Sequence, residues 1–167
     1  MSFPPNSEPP GGTARRGFVL GPDDGDAYWW LGSTSIVKLA ATSSRGSVDV
    51  VDHRVPAGYA PPPHVHSESD EIFYLIDGEL AVTCGDDHWQ AGPGSLVFLP
   101  RLVPHGFVVS DAGPARTLLI NVPAGFADVI TELGQATGDL TLPGSDVPVP
   151  GPDRVASVSK AHGINPP

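Results

Sequence analysis

Four side chains able to bind a cation lie within one short stretch: His64, His66, Asp70 and Glu71. The stretch runs from Gly58 through Pro61-Pro62-Pro63 to His64-Val65-His66, and on to Asp77-Gly78. Two histidines separated by one residue put both imidazoles on one face of an extended chain, with Cα atoms roughly 6.5 Å apart. That is a chelating distance once both rings lean towards one ion. Glu71 opens an apolar run, Ile72-Phe73-Tyr74-Leu75-Ile76, which ends at the turn signal Asp77-Gly78. A carboxylate at the mouth of a buried strand is costly unless a cation pairs with it. A third histidine, His105, follows a proline bend and opens another apolar run. Three of the six histidines therefore sit where buried strands begin, as does Glu71. A lone histidine on an apolar face is usually structural; three with a carboxylate point to a metal site.

The elements that must hold these groups are short and separated by turns. Twenty Pro and twenty Gly in 167 residues favour an all-β domain over a helical one. Residues 1–16 are expected to form a mobile arm, and Gly17-Phe18-Val19-Leu20 a first short strand. Tyr28-Trp29-Trp30-Leu31-Gly32 places two adjacent Trp on opposite faces of a strand, so at most one faces the cavity. Strands follow over residues 35–41 and 47–55, joined by a Ser43-Ser44-Arg45-Gly46 hairpin. In the second of them Asp49, Val51, His53 and Val55 alternate with Val48, Val50, Asp52 and Arg54, apolar-rich on both faces. His53 reads as a surface or hydrogen-bonded sheet histidine, with a place in the cavity as the alternative. Further strands cover residues 79–84, 88–91, 95–99, 106–109 and 116–122. After Pro123 the period changes: Phe126, Val129, Ile130 and Leu133 recur at helix spacing, and Gly134 can cap the helix. A second short helix is expected over residues 153–162, with Gly163 after its end. The expected organisation is a barrel over residues 17–122 and a helical segment over 123–167, with helices only after Pro123.

Nine basic residues against nineteen acidic ones give a formal charge of −10. Such a surface repels phosphate backbones and anionic membranes, which argues against nucleic acid and membrane partners. The single cysteine, Cys84, excludes an intrachain disulfide and reads as a small core residue. The first residues contain no apolar stretch of a secretory signal, and no run approaches the length of a membrane span. A soluble cytosolic protein is the expectation.

With these residues in place, the chain resembles the cupins. Gly58, His64, His66, Glu71 and Gly78 match every spacing of their first motif. Gly94, Pro100 and His105 match the second, where Leu102 and Val109 stand in place of a glycine and an asparagine. The resemblance implies a double-stranded β-helix, or jelly roll, with one metal held by His64, His66, Glu71 and His105. Asp70 is the possible substitute for Glu71; Phe73 and Leu75 share Glu71's face, which favours Glu71 as the inward ligand. Tyr28 to Gly32, the Pro-Pro-Pro-His-Val-His run and Pro123-Ala124-Gly125-Phe126 are similar to bacterial quercetin 2,3-dioxygenase-like proteins. Pairing of barrels in this family, with the adjacent Trp29 and Trp30, implies a homodimer.

Three imidazoles and one carboxylate leave one or two open positions on a five- or six-coordinate ion. That suits nickel, iron, manganese, copper or cobalt, and zinc less, because zinc more often closes as a tetrahedron. Tyr59, Phe73, Leu75, Phe98 and Phe107 are the candidate apolar walls for an aromatic or enol-like substrate. Glu71 is the candidate proton acceptor. The resemblance implies oxidation of a flavonol-like enolate by dioxygen. Two alternatives remain: a metal-dependent cyclase, isomerase or decarboxylase that needs no dioxygen, and a non-catalytic binding module.

Overall fold

The structure, a computed structural model, describes residues 17–167. The arm expected over residues 1–16 lies outside the described residues. Residues 17–20 do not form the expected strand. They run irregularly, and Phe18 and Leu20 instead line a surface hollow with Val50, Ile76 and Leu118. The first strand is β1, Asp26–Trp30, which pairs antiparallel with β2, Ser33–Leu39. The expected hairpin after β2 is a one-turn helix, α1, Ala41–Ser44, which ends on Arg45 in the left-handed region at φ 59°. Helix therefore also occurs before Pro123. The strands β3 (Asp49–Val55), β4 (Val65–His66), β5 (Asp70–Asp77) and β6 (Leu80–Cys84) follow. Then come β7 (Asp87–Ala91), β8 (Leu96–Leu99), β9 (His105–Val109) and β10 (Ala115–Val122).

After the barrel, α2 spans Phe126–Leu133 and α3 spans Pro152–Ala161, close to the expected helices. Gly134 ends α2 with extended backbone, not in the left-handed cap conformation. A Cβ there would lie 2.6 Å from the Ile130 carbonyl, so glycine serves close approach. Two short strands were not legible in the loop composition: β11, Gln135–Ala136, adds to β1, and β12, Ile164–Asn165, pairs with β4.

A seven-stranded sheet in the order β11-β1-β2-β3-β10-β5-β8 faces a three-stranded sheet β7-β6-β9. Val51, Val55, Phe73, Leu75, Leu80, Val82, Leu99 and Val109 fill the space between them. Burying each such side chain stabilises the fold by about 1.5–3 kcal/mol. Along β5 the alternation is clean: Glu71, Phe73 and Leu75 point inward, while Tyr74 and Ile76 are exposed. Cys84 is a buried free thiol, as its apolar neighbours suggest.

Leu102 occupies the place of the glycine in the second motif and adopts φ 65°. A side chain in that region costs roughly 1–2 kcal/mol. The strain persists because the Leu102 N–H donates to the His66 carbonyl at 2.8 Å, tying the bend to the His-x-His strand. Leu102→Gly is expected to stabilise the protein by about 1 kcal/mol, the relieved strain being partly offset by a freer unfolded chain. Urea denaturation checks this; an unchanged or lower midpoint at constant m would show that Leu102 bears no strain.

Candidate metal centre

Three separate pieces of chain deliver the four groups to one place. His64 and His105 form a two-bond antiparallel bridge, each N–H donating to the other's carbonyl at 2.9 Å. This bridge joins the first histidine motif to the start of β9. His66 lies on β4, whose other side is closed by β12 through the Ile164–His66 and Asn165–Val65 pairs. Glu71 projects inward from β5, where it is paired with Asn121 on one side and Leu99 on the other.

One donor atom from each of His64, His66, Glu71 and His105 lies within 4.8 Å of all the others. The Nε2 atoms of His64 and His66 are 3.1 Å apart, and Glu71 Oε2 is 3.4 Å from His105 Nε2 and 3.9 Å from His66 Nε2. An ion about 2.1 Å from each donor sets donor–donor distances of roughly 3.0–3.4 Å along the edges of its polyhedron. The rings are also correctly turned. His64 Nδ1 donates to the Pro62 carbonyl at 3.2 Å and His105 Nδ1 to the Val103 carbonyl at 2.9 Å. With the proton on Nδ1, both rings present a bare Nε2 to the centre. His66 Nδ1 lies 3.1 Å from Ser69 Oγ, which can accept its proton in the same way.

The electrostatics call for a cation. Burial holds the His64 ring below its ordinary pKa and lowers His66 to about 4, against the pull of Glu71. Burial pushes the Glu71 carboxyl up, but the facing His105, His66 and His64 rings prevail, and its pKa falls below the ordinary value. The result is an anion facing two rings, His64 and His66, that burial keeps neutral near pH 7. Glu71 Oε2 and His105 Nε2 are both buried without a hydrogen-bond partner. Two lone-pair atoms 3.4 Å apart do not bond each other; a cation between them would satisfy both. The residues present fit a divalent metal.

Asp70 stands outside this group. Its carboxylate accepts from Arg101 Nε at 3.0 Å and Nη2 at 2.8 Å, and Arg101 holds its pKa at about 2. Of the candidate wall residues, Phe73, Leu75, Tyr59 and Phe107 lie in or against the core. The Phe107 ring packs edge-on to Phe73 with centroids 5.4 Å apart and lies 6.1 Å from Tyr59. Phe98 does not join them. It is paired with Ile72 and is 54% exposed, whereas Leu99 next to it is fully buried. The reason is register: Leu99 pairs with the inward Glu71, so Phe98 must face out.

His53 is a hydrogen-bonded sheet histidine of β3, but it lies inside and not on the surface. It is buried against Trp30 and Tyr59, ring centroids 5.9 and 6.3 Å away, and its Nδ1 lies 2.9 Å from Ser35 Oγ. Trp30 is the inward tryptophan, while Trp29 Nε1 donates to the Thr141 carbonyl at 3.1 Å. Sequence reasoning also missed Asp49 and Asn121. Asp49 Oδ2 accepts the N–H groups of Gly125 and Ala127 at 2.8 and 3.0 Å and so fixes the start of α2. That places Phe126 with its ring 6.1 Å from His66 and 5.5 Å from Trp30. Asn121, between Asp49 and Glu71, is fully buried with neither side-chain heteroatom paired. A polar residue at an inward strand position was the available signal for each.

Burial lowers His53 from 6.5 to about 4. Between those values the unfolded chain takes up a proton that the folded chain refuses, so stability falls as pH drops from 6.5 and levels off below about 4. The loss expected from this group is a few kcal/mol. His53→Gln should flatten this part of the pH dependence of urea denaturation; a variant that keeps the full slope would show that His53 is not its source.

Residues 51–121 match the model of the cupin domain. Among solved structures, the chain is similar to the polyketide cyclase RemF from Streptomyces resistomycificus. The two are 22% identical, with a TM-score of 0.54, over 62% of this chain and 78% of that one. KdgF from Halomonas sp. is 18% identical with a TM-score of 0.52, over 57% of this chain and 84% of the other. These likenesses concern the fold. A putative competence-damage inducible protein of Lactiplantibacillus plantarum is 25% identical over 116 residues, 64% of this chain and 27% of that protein. An uncharacterized protein of Methanocaldococcus jannaschii is 26% identical over 69 residues, 41% of this chain and 55% of that protein. The chain thus spans about a quarter and about half the length of these two relatives. Among the described residues no helix is long and apolar enough to cross a membrane. The jelly roll built around His64, His66, Glu71 and His105 has the cupin fold, and its residues 51–121 match the cupin domain model.

Proposed function

We propose that the protein is a metal-dependent dioxygenase acting on a flavonol-like or other enolisable aromatic substrate. The observation that carries the metal-dependent reading is the convergence of three imidazole nitrogens on a buried, unpaired Glu71 oxygen. His64, His66, Glu71 and His105 would hold one divalent transition metal. When bound, such an ion supplies a Lewis acid that lowers the pKa of a substrate hydroxyl. The remaining work falls to the chain. His64 is the least buried of the four, so the mouth of the site lies on its side. Tyr59, Phe73 and Phe107 form an apolar, aromatic wall on which a planar ring can lie. Phe126 covers the His66 side and excludes water there. Glu71, an anion within reach of the same centre, accepts the hydroxyl proton, and the enolate that remains is the electron-rich species dioxygen attacks.

His53 and Tyr59 favour a second reading. A buried neutral imidazole beside a phenol whose pKa burial raises to about 12 suits proton relocation without dioxygen, as in a cyclase, isomerase or decarboxylase. An oxygen electrode separates the two. Metal-loaded protein with a flavonol should consume oxygen in proportion to substrate, and turnover should stop under nitrogen. Undiminished turnover under nitrogen would replace the dioxygenase reading with the second one.

A further inference from the structure

All four candidate ligands lie within residues 51–121, yet much of what holds one of them comes from outside that span. His66 sits on β4, a strand of two residues, and among the described residues β4 has one partner strand, β12, over Ile164 and Asn165. The junction is fastened just beyond His66. The Gly163 carbonyl accepts from the Ser67 N–H at 2.8 Å, from Ser67 Oγ at 3.0 Å and from Asn165 Nδ2 at 3.3 Å. Gly163 itself adopts φ 74°, and a Cβ there would lie 2.7 Å from Ser67 Oγ. Glycine makes this contact without the strain or the clash that any side chain would bring. β12 is fixed in turn through two helices. The Gly163 N–H donates to the Lys160 carbonyl of α3 at 3.1 Å. Arg154 Nη2 of α3 donates to the Glu132 carbonyl of α2 at 3.0 Å, and His162 Nε2 lies 2.8 Å from Glu132 Oε1. α2 carries Phe126, whose ring lies 6.1 Å from that of His66. The segment after the barrel therefore meets His66 twice, at its backbone through β12 and at its ring through Phe126.

We infer that Ser67 and Gly163 form a latch that positions His66 for a metal ion, so that affinity for the ion depends on the docking of residues 162–165 onto β4. The inference rests on the metal-binding part of the proposed function. A ligand set works only when each donor is held near its productive place, and a two-residue strand with an open edge would leave the His66 ring free to drift. Closing that edge from a remote segment couples the segment to the ion. The coupling is reciprocal: if the docked latch raises affinity for the ion by some factor, the bound ion favours docking by the same factor. Groups that orient a metal ligand typically contribute 10–100-fold in affinity, which sets the size of the effect.

Nickel(II) alone serves as the probe. Competition with a chelator reads its affinity, and hydrogen exchange of the peptide spanning residues 162–167 reads the docking of the latch. In the unaltered protein, saturating nickel should slow exchange in that peptide by about 10–100-fold. Gly163→Val forces the latch off Ser67. It should keep the β-rich circular dichroism spectrum, bind nickel about 10–100-fold more weakly and lose the nickel-dependent protection. Ser67→Ala deletes one hydrogen bond and adds no clash, so it decides the matter if Gly163→Val does not fold. It should weaken nickel binding by about 2–10-fold. Nickel bound as tightly by a folded Gly163→Val protein, or by Ser67→Ala, as by the parent would overturn the inference. So would exchange in residues 162–167 that is the same with and without bound nickel. A parent protein that binds no nickel would overturn the metal reading itself, and the latch with it.

Discussion

Replacing His66 by alanine is expected to remove most bound metal and, with it, nearly all activity. His66 is buried, its Nε2 faces the centre, and no neighbouring side chain can take its place: Asp70 is held by Arg101. Loss of an outer-shell partner alone typically costs 10–100-fold in metal affinity. Loss of a direct ligand should weaken affinity by at least about 10²-fold. The variant also removes a buried ring from against Phe126, so its folding needs a separate check by circular dichroism. His64→Ala supplies a gentler control, since His64 is only half-buried and its removal opens less of the core. Both variants should lose metal while keeping a β-rich spectrum. Wild-type metal content in a folded His66→Ala protein would show that the ligand set is wrong.

Glu71→Gln should separate binding from chemistry. The amide keeps the shape of the side chain and one oxygen facing the centre, but loses the charge and the basicity. Three imidazoles remain, so a good part of the metal should stay. Turnover should fall by about 10²–10⁴-fold, the usual contribution of a positioned general base. Retention of metal together with full turnover would remove Glu71 from the proton transfer. Parallel loss of metal and turnover would make it a ligand and nothing more.

The clustered groups of the candidate metal centre were legible because their spacing is tied to backbone geometry. His64 and His66 share a face in any extended chain, and Glu71 shares one with Phe73 and Leu75; both relations follow from the period of two. The barrel was legible for a similar reason, through short alternating runs between Gly and Pro turns. Phe98 was not, because Leu96 to Leu99 is apolar throughout and offers no alternation to fix a face. Only the pairing of Leu99 with Glu71 decides it. The His53 strand had apolar and charged residues on both faces, so its direction depended on partners far away in sequence. There Arg116 binds the buried Asp52 at 2.6 Å on one side, while His53 meets Trp30 and Tyr59 on the other. β11 and β12 are two-residue strands that exist only because β1 and β4 offer free edges. Residues 17–20 had strand-like composition but pair with no strand; Phe18 and Leu20 lie against the outer face of the large sheet instead. Local composition gave the elements their types; tertiary pairing gave several of them their faces.

X-ray absorption at the K-edge of the metal carried by the purified protein decides whether His64, His66, Glu71 and His105 hold it. The expected result is one first-row transition metal per chain, with nitrogen and oxygen as its nearest neighbours and the multiple scattering of three imidazole rings. A shell containing sulfur, or one without imidazole scattering, would contradict it.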